Sequence, residues 1–355
     1  MSARPQKARK TVNLALQGGG AHGAFTWGAL DRLLEEEAIE IEGISGTSAG
    51  AMNAAALKSG MVSGGRDGAR ASLDAFWLSL TGLDGVLPPL LLDWLAEVAP
   101  SPALTARALE ASPMGLAAEA FTRFLSPYQF NPANYHPMRS AVTRLVDYDH
   151  VCAMAWPKLY ICATNVRSGK IKVFSGDEIT PDALLASACL PTLFQAIEIE
   201  DPQTGLVEAY WDGGYMGNPP LYPLFYKTSS PDVIVVHINP MRRDELPKTS
   251  TEILNRVNEI SFNSSLLREL RAVDFVHRLI RTGRIGPEVM MDVRVHSVQD
   301  DGLMRQLGVA SKLSPSRAFL LQLKEAGRAA MDGFLREHWD SIGVRSSVDL
   351  RAMFG

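Results

Sequence analysis

Apolar residues fall into two textures along this chain: short unbroken runs, and longer stretches in which they recur every third or fourth position. Residues 11–16 form such a run and read as a buried strand. After Gln17-Gly18-Gly19-Gly20-Ala21-His22-Gly23 the texture changes. From about 24 to 37, Phe25, Ala29, Leu33 and Leu34 recur at spacings of three and four, which predicts a helix packed on a sheet. Residues 39–44 are the second run. Strand, helix and strand make a βαβ unit, whose right-handed crossover sets the two strands parallel and adjacent. Beyond Pro157 the pattern predicts a hairpin of residues 159–166 and 171–174, a short helix over 181–188, a second hairpin of 195–199 and 208–211, and a strand over 231–238. Residues 250–284 read as one or two long helices with Ile253, Val257, Ile260, Leu266, Leu270 and Val273 on an apolar face. Residues 289–298 alternate like a strand, and 314–339 read as an amphipathic closing helix.

The region from Gly60 to Tyr135 resists assignment. Phe76 and Trp77 fit a helix, residues 86–98 are apolar but broken by Pro88 and Pro89, and 104–125 suggest helices between prolines. The segment 87–95, with Trp94, reads as an ordinary core helix or as a lid over an apolar cleft.

Composition narrows the class. A chain of 355 residues that is 46% hydrophobic and 21% charged buries a large core and is not disordered. A formal charge of -4 argues against binding nucleic acid by general basicity. Cys152, Cys162 and Cys189 are odd in number and lack CxxC spacing, which fits a reducing compartment and neither a disulfide framework nor a zinc site. No metal and no cofactor is expected. Residues 1–10 are basic without an apolar run behind them, so no secretory signal is expected. The longest apolar stretches fall short of the roughly 18 residues of a membrane span. The expectation is a cytoplasmic chain with a flexible basic tail (1–10), a main α/β domain (11–240) and a mainly helical extension (241–355) packed on that domain. Arg268, Arg271, Arg278, Arg281 and Arg284 give the long helix a basic side, either solvated or in peripheral contact with an anionic membrane. Nothing in the sequence sets the oligomeric state.

Three patterns carry chemistry. Gly46-Thr47-Ser48-Ala49-Gly50 follows a strand and precedes the helix formers of 51–57. On such a GxSxG turn the serine hydroxyl is lifted out of the sheet beside free helix amides, so Ser48 is the candidate nucleophile. Gly18, Gly20 and Gly23 match GxGxxG, but a dinucleotide site also needs an acid after the second strand, where Ser45 and Gly46 stand. A phosphate loop would end in Gly-Lys-Ser/Thr, which is missing. As an oxyanion hole, the amides of Gly19, Gly20 and Ala21 would face charge developing on an acyl oxygen. The third pattern is Asp212-Gly213-Gly214 at a strand end. Its carboxylate is placed to take the proton of a serine hydroxyl, although Asp-Gly-Gly is also a common turn. His22 reads as a turn-filling or helix-capping residue more readily than as a general acid. His237 offers a different solution, because the order Ser48, Asp212, His237 is that of a Ser-Asp-His hydrolase.

Taken together, Gly18-Gly19-Gly20-Ala21-His22-Gly23, Gly46 to Gly50, Ser187-Ala188-Cys189-Leu190-Pro191 and Asp212-Gly213-Gly214 resemble the four motif blocks of the patatin-like phospholipases, in order. Weaker likeness to a bacterial subgroup continues through Tyr128-Gln129-Phe130-Asn131-Pro132 and residues 255–274. The resemblance implies an α/β class, three-layer α/β/α patatin-like fold with a mainly parallel central sheet and a helical C-terminal extension. It further implies a Ser48–Asp212 dyad, an oxyanion hole from the amides of Gly18 to Gly20, and metal-free hydrolysis of a lipid acyl ester through an acyl-enzyme. His22 stands where the family usually has Arg or Lys, and Gly214 where Ala is commoner. Acyl transfer to an acceptor other than water, and a silent fold that binds lipid or protein, remain alternatives.

Overall fold

The computed structural model describes residues 8–81, 104, 125–153, 156–202, 204–286, 288–313 and 315–354. The segment 87–95, read as a core helix or a lid, nearly all of 104–125, and residues 1–7 of the expected tail lie outside the described residues. The first strand, β1 (Lys10–Leu16), takes up the last residue of that tail.

Two-residue alternation builds the centre of the molecule. In β1, Val12, Leu14 and Leu16 enter one apolar core, while Ala15 enters a second on the opposite face. The same division holds in the later strand Asp232–Val236, where Ile234 and Val236 join the first core and Val233 and Val235 the second. Burial on both faces explains why these strands read as unbroken apolar runs. The strands are β1, β2 (Ile39–Thr47), β3 (Lys158–Asn165), β4 (Ile171–Ser175), β5 (Ile197–Glu200), β6 (Val207–Asp212), β7 (Asp232–Val236) and β8 (Arg294–Val298). They form one sheet in the order β5-β6-β3-β2-β1-β7-β8, with β4 paired to β3 off this path. β3, β2, β1, β7 and β8 run parallel, and β4, β5 and β6 are antiparallel additions. The expected hairpins are present. β2 runs on to Thr47, so the strand leads directly into Ser48.

Helices cover both faces. On the first lie α1 (Gly23–Leu34), α2 (Ala49–Ser79), the short α3 (Pro181–Ser187) and, later in the chain than α4 (Ser250–Arg281) and α5 (Val309–Lys312), the amphipathic α6 (Arg317–His338) packed along α1. Each large apolar side chain buried there contributes about 1.5–3 kcal/mol. α2 bends at Gly64 and Gly65, where the backbone leaves the helical region, which is why its second half carrying Phe76 and Trp77 could not be joined to its first by pattern.

The second face is covered by α4 (Ser250–Arg281), one continuous helix whose Leu266, Leu270 and Val273 are buried. The expected single apolar stripe is not observed: Ile253, Val257 and Ile260 are 47, 50 and 54% exposed. Nine residues separate Ile253 from the buried Phe262, which at 3.6 residues per turn is two and a half turns, so the two sets lie on opposite sides of the helix. The expected strand over 289–298 is shorter than its pattern. β8 starts at Arg294, and Val289 and Met290 are exposed. β8 nonetheless extends the sheet beside β7, so the region after 240 adds a strand as well as helices. A four-residue helix, α5 (Val309–Lys312), sets its last turn against the glycine loop after β1.

Candidate active site

Register brings the two glycine-bearing turns together. Leu16 pairs with Gly46 across parallel β1 and β2, so Gly18 and Ser48 leave the sheet side by side at the carboxyl ends of neighbouring strands. They approach so closely that a Cβ on Gly18 would lie 2.6 Å from the Ser48 Cβ. Ser48 itself sits at φ 53 and ψ -121, a conformation L-residues avoid, at the N-terminus of α2. Such a residue stores about 1–3 kcal/mol of strain and persists only where its surroundings fix it. Here its N–H donates to the Ser187 hydroxyl at 2.9 Å, its carbonyl accepts from Met52, and the Thr47 hydroxyl donates to the Gly217 carbonyl at 2.6 Å.

Asp212 ends β6, 1% exposed. Its N–H donates to the Cys189 carbonyl at 2.8 Å, and its Oδ1 accepts from the Gly214 N–H at 2.7 Å. The Ser187–Cys189 segment thus grips both candidate residues, one through a hydroxyl and one through a carbonyl. Asp212 Oδ2 makes no hydrogen bond of standard geometry among the described residues, yet the Ser48 hydroxyl lies near enough to stabilise the ionised carboxyl. Burial dominates and pushes the Asp212 pKa up to about 7, against the Gly214 N–H, the Ser48 hydroxyl and the charge of Lys312.

The glycine loop is tied down by four buried amide side chains that the sequence did not single out. Gln17 Oε1 accepts from the N–H groups of Ile238 and Asn239 at 3.0 and 3.1 Å, and its Nε2 donates to Asn263 Oδ1 at 3.2 Å. Asn239 Nδ2 donates to the Gly18 carbonyl at 2.7 Å, and the Gly18 N–H donates to Asn218 Oδ1 at 2.6 Å. That last bond engages the Gly18 amide, which the resemblance placed among the oxyanion donors; Gly19 and the 3-10 turn Gly20–His22 follow it. Gln17 and Asn239 stand as single polar residues just beyond strand ends and Asn218 lies in the loop after β6, positions that give no periodic signal.

Gly20 has φ +60, and a Cβ there would lie 2.3 Å from the Lys312 carbonyl oxygen. Gly20→Ala should therefore lower the melting midpoint by a few degrees, since the backbone term alone is about 1–2 kcal/mol. An unchanged midpoint in a thermal melt followed by circular dichroism would mean that the loop rearranges freely.

Neither histidine joins the site. His22 Nε2 is 2.8 Å from the Ser311 hydroxyl and its ring meets the Phe319 ring edge-on. Burial, then the charges of Lys312 and Arg243, hold its pKa well below the ordinary range, so the ring is neutral and structural. His237 is 2% exposed, burial lowers its pKa to about 4, and neither ring nitrogen has a hydrogen-bond partner among the described residues. No group of three metal-ligating side chains occurs among the described residues, and none of their helices is long and apolar enough to cross a membrane.

A family model described as patatin-like phospholipase matches residues 14–225. No curated protein matches the chain. Among solved structures, the chain is similar to VipD from Legionella pneumophila, at 14% identity and a TM-score of 0.41 over 94% of this chain and 67% of that one. It is also similar to the ExoU-SpcU complex from the type III secretion system of Pseudomonas aeruginosa, at 18% identity and a TM-score of 0.37 over 94% of this chain and 53% of that one. The chain thus spans about two thirds and about half of those two chains.

Proposed function

The chain belongs to the patatin-like phospholipase family, and from that membership, which makes it a lipid acyl hydrolase, we propose that it cleaves acyl esters through a Ser48–Asp212 dyad. The observation that carries this reading is the meeting of two otherwise costly features. A serine in a strained turn faces a buried carboxyl whose Oδ2 is left without a standard hydrogen bond. Strain and unmet polar groups in one place are the mark of a working site.

The chemistry follows from the geometry. Ser48 Oγ attacks the acyl carbon while Asp212 Oδ2 takes its proton. Charge developing on the carbonyl oxygen is met by the N–H groups of Gly19, Gly20 and Ala21, fixed in place before the substrate arrives. When the intermediate collapses, Asp212 returns the proton to the leaving alcohol and Ser48 holds the acyl group. Asp212 then takes a proton from water, which attacks the same carbon; as that second intermediate collapses, the bond from Ser48 Oγ to the acyl carbon breaks, Asp212 returns the proton to Oγ, and the free acid leaves.

The triad alternative needs His237 between Ser48 and Asp212. The sheet order sets three strands, β3, β2 and β1, between β6 and β7. At about 4.8 Å per strand the lateral separation of Asp212 from His237 is about 19 Å, beyond the reach of a hydrogen bond. His237→Gln is therefore expected to keep kcat/KM within about five-fold, whereas loss of a triad base costs on the order of 10³-fold or more. Steady-state ester hydrolysis distinguishes the two.

The direct test is labelling with a fluorophosphonate followed by peptide mapping. A label confined to the peptide carrying Ser48 in the wild type, kept in His237→Gln and weakened in Asp212→Asn, is the expected result. A folded wild type that takes no label would replace the dyad with a catalytically silent lipid- or protein-binding module, and a label on another peptide would move the nucleophile away from Ser48.

A further inference from the structure

The long helix α4 carries a second pattern on its outward side, separate from the one that buries it. Ile253, Val257 and Ile260 are followed, every third or fourth residue, by Ser264, Arg268, Arg271, Phe275 and Arg278. At about 100° per residue all of them fall within an arc of about 80°, so they form one row roughly 38 Å long. The inward side lies opposite. There Phe262, Leu266 and Val273 are buried, the Phe262 ring stands against Gly214 beside Asp212, and Asn263 and Ser265 accept from Gln17 and from the Asn218 N–H. The helix that presents this row is therefore fastened to the loops of the candidate active site.

Two kinds of side chain share the row. Its first half is apolar: Ile253, Val257 and Ile260 are about half exposed, and so is Leu254 beside them. Its second half is basic: Arg268, Arg271 and Arg278 are exposed, with Phe275 at 54% among them, and Arg281 continues the charge. No carboxylate stands in the row. Glu259 and Glu269 lie on the inward side, where Arg243 holds the first at 2.6 Å and the N–H groups of Leu221 and Tyr222 donate to the second at 2.8 Å. Asp274, on the flank, is answered by Arg278 at 3.2 Å and Arg351 at 3.6 Å. Arg271 and Arg278 rest over apolar rings: the Phe354 ring of α7 (Leu350–Phe354) at 5.4 Å and the Phe275 ring at 5.7 Å.

The charge and the apolar area point to the same partner. Arginine presents a flat fork of donors that matches a phosphate, and half-exposed Ile, Val, Leu and Phe side chains gain by leaving water. A straight helix face that joins the two and excludes carboxylates fits a surface that is itself apolar and anionic, the boundary between headgroups and acyl chains in a bilayer. We infer that the outward face of α4 docks the protein on an anionic phospholipid bilayer, with Ile253, Val257 and Ile260 entering the acyl boundary and Arg268, Arg271 and Arg278 meeting lipid phosphates. The inference rests on the reading of the chain as a lipid acyl hydrolase that works through Ser48, and it gives that enzyme the surface on which its substrate is carried.

The experiment is co-sedimentation with vesicles of phosphatidylcholine alone and of phosphatidylcholine with about 30 mol% phosphatidylglycerol, using Ser48→Ala protein so that the lipid stays intact. The protein should bind the anionic vesicles, less as salt rises. Arg268→Gln with Arg271→Gln should weaken binding about thirty-fold, and Val257→Ser with Ile260→Ser on the order of ten-fold or more. Arg336→Gln, at an exposed arginine on α6, should leave it unchanged. A folded protein that does not bind the anionic vesicles, or that loses as much in Arg336→Gln as in the α4 variants, overturns the inference. A loss with the arginines but none with Val257 and Ile260 also overturns it, in favour of a soluble acidic partner.

Sedimentation does not depend on Ser48, and a water-soluble fluorophosphonate needs no bilayer. On the wild-type background, Val257→Ser with Ile260→Ser should therefore keep the labelling rate within about two-fold while hydrolysis of vesicle lipid falls with binding. Labelling lost together with binding in that variant overturns the inference, because the row would then act on the site itself. Vesicle binding by a wild type that takes no label would remove the dyad and leave the docking face standing.

Discussion

Ser48→Ala is expected to remove acyl-ester hydrolysis and fluorophosphonate labelling, with kcat/KM falling on the order of 10⁴-fold or more. The size follows from what the change takes away. Alanine keeps the Cβ that Ser48 sets beside Gly18 and the N–H that Ser187 accepts, so the turn, the loop and the Asp212 environment stay. Only the attacking oxygen is lost, and a buried carboxylate with backbone donors has no second nucleophile to offer. The melting temperature should change little, because the left-handed strain at position 48 is the same for alanine as for serine. Ester turnover and thermal melting on one preparation check this. A folded variant keeping a tenth of its activity would move the nucleophile to another residue.

Asp212→Asn carries the second large effect, and its sign differs between activity and stability. An asparagine Oδ1 still accepts from Gly214, so the strand end keeps its shape, but no group remains to take the Ser48 proton. General-base removal of this kind costs about 10²–10⁴-fold, measured as kcat/KM at pH 8. Stability moves the other way. The folded-state pKa of about 7 lies above the ordinary 3.8, so the folded protein holds a proton that the unfolded chain releases. The contribution of Asp212 to stability is complete below about pH 4 and is lost as pH rises through 7, where an ionised carboxylate must stay buried. Asp212→Asn avoids that cost and should melt higher than wild type at pH 8 but not at pH 4. In the wild type, kcat/KM should fall as pH drops below about 7, since the base must be ionised to act. A variant that melts lower at pH 8 would mean that the wild-type carboxylate is stabilised by more than the Gly214 bond and the Lys312 charge.

Much of the centre was legible because its signals are local. An apolar run that must be buried on both faces announces a parallel strand, and a turn too tight for side chains announces itself in glycine, so β1, β2, β7 and the turns at Gly18 and Ser48 were readable without coordinates. Asp212 was readable for the same reason, as the last residue of a strand that its glycines bring to an end. Where two helical halves meet at a bend, as at Gly64 and Gly65, or where an apolar stripe shifts from one side of a helix to the other, as between Ile260 and Phe262 on α4, periodicity misleads, because it records spacing and not which neighbour covers the face.

The sequence by itself determined the central strands, the two turns that carry Gly18 and Ser48, and the place of Asp212 at a strand end, since each is set by steric limits acting over a few residues. The tertiary structure alone decided how they are held: Ser187 on the Ser48 amide, Cys189 on the Asp212 amide, Asn218 on the Gly18 amide that had been expected to face the oxyanion, and Lys312 behind the loop. Those contacts join residues up to 200 positions apart or lie in separate elements, and single hydrogen bonds at such separation leave no period in the chain. They exist only because the sheet order places the ends of β6, β3, β2, β1 and β7 along one edge, where a lone polar residue from any of them can reach the same loop.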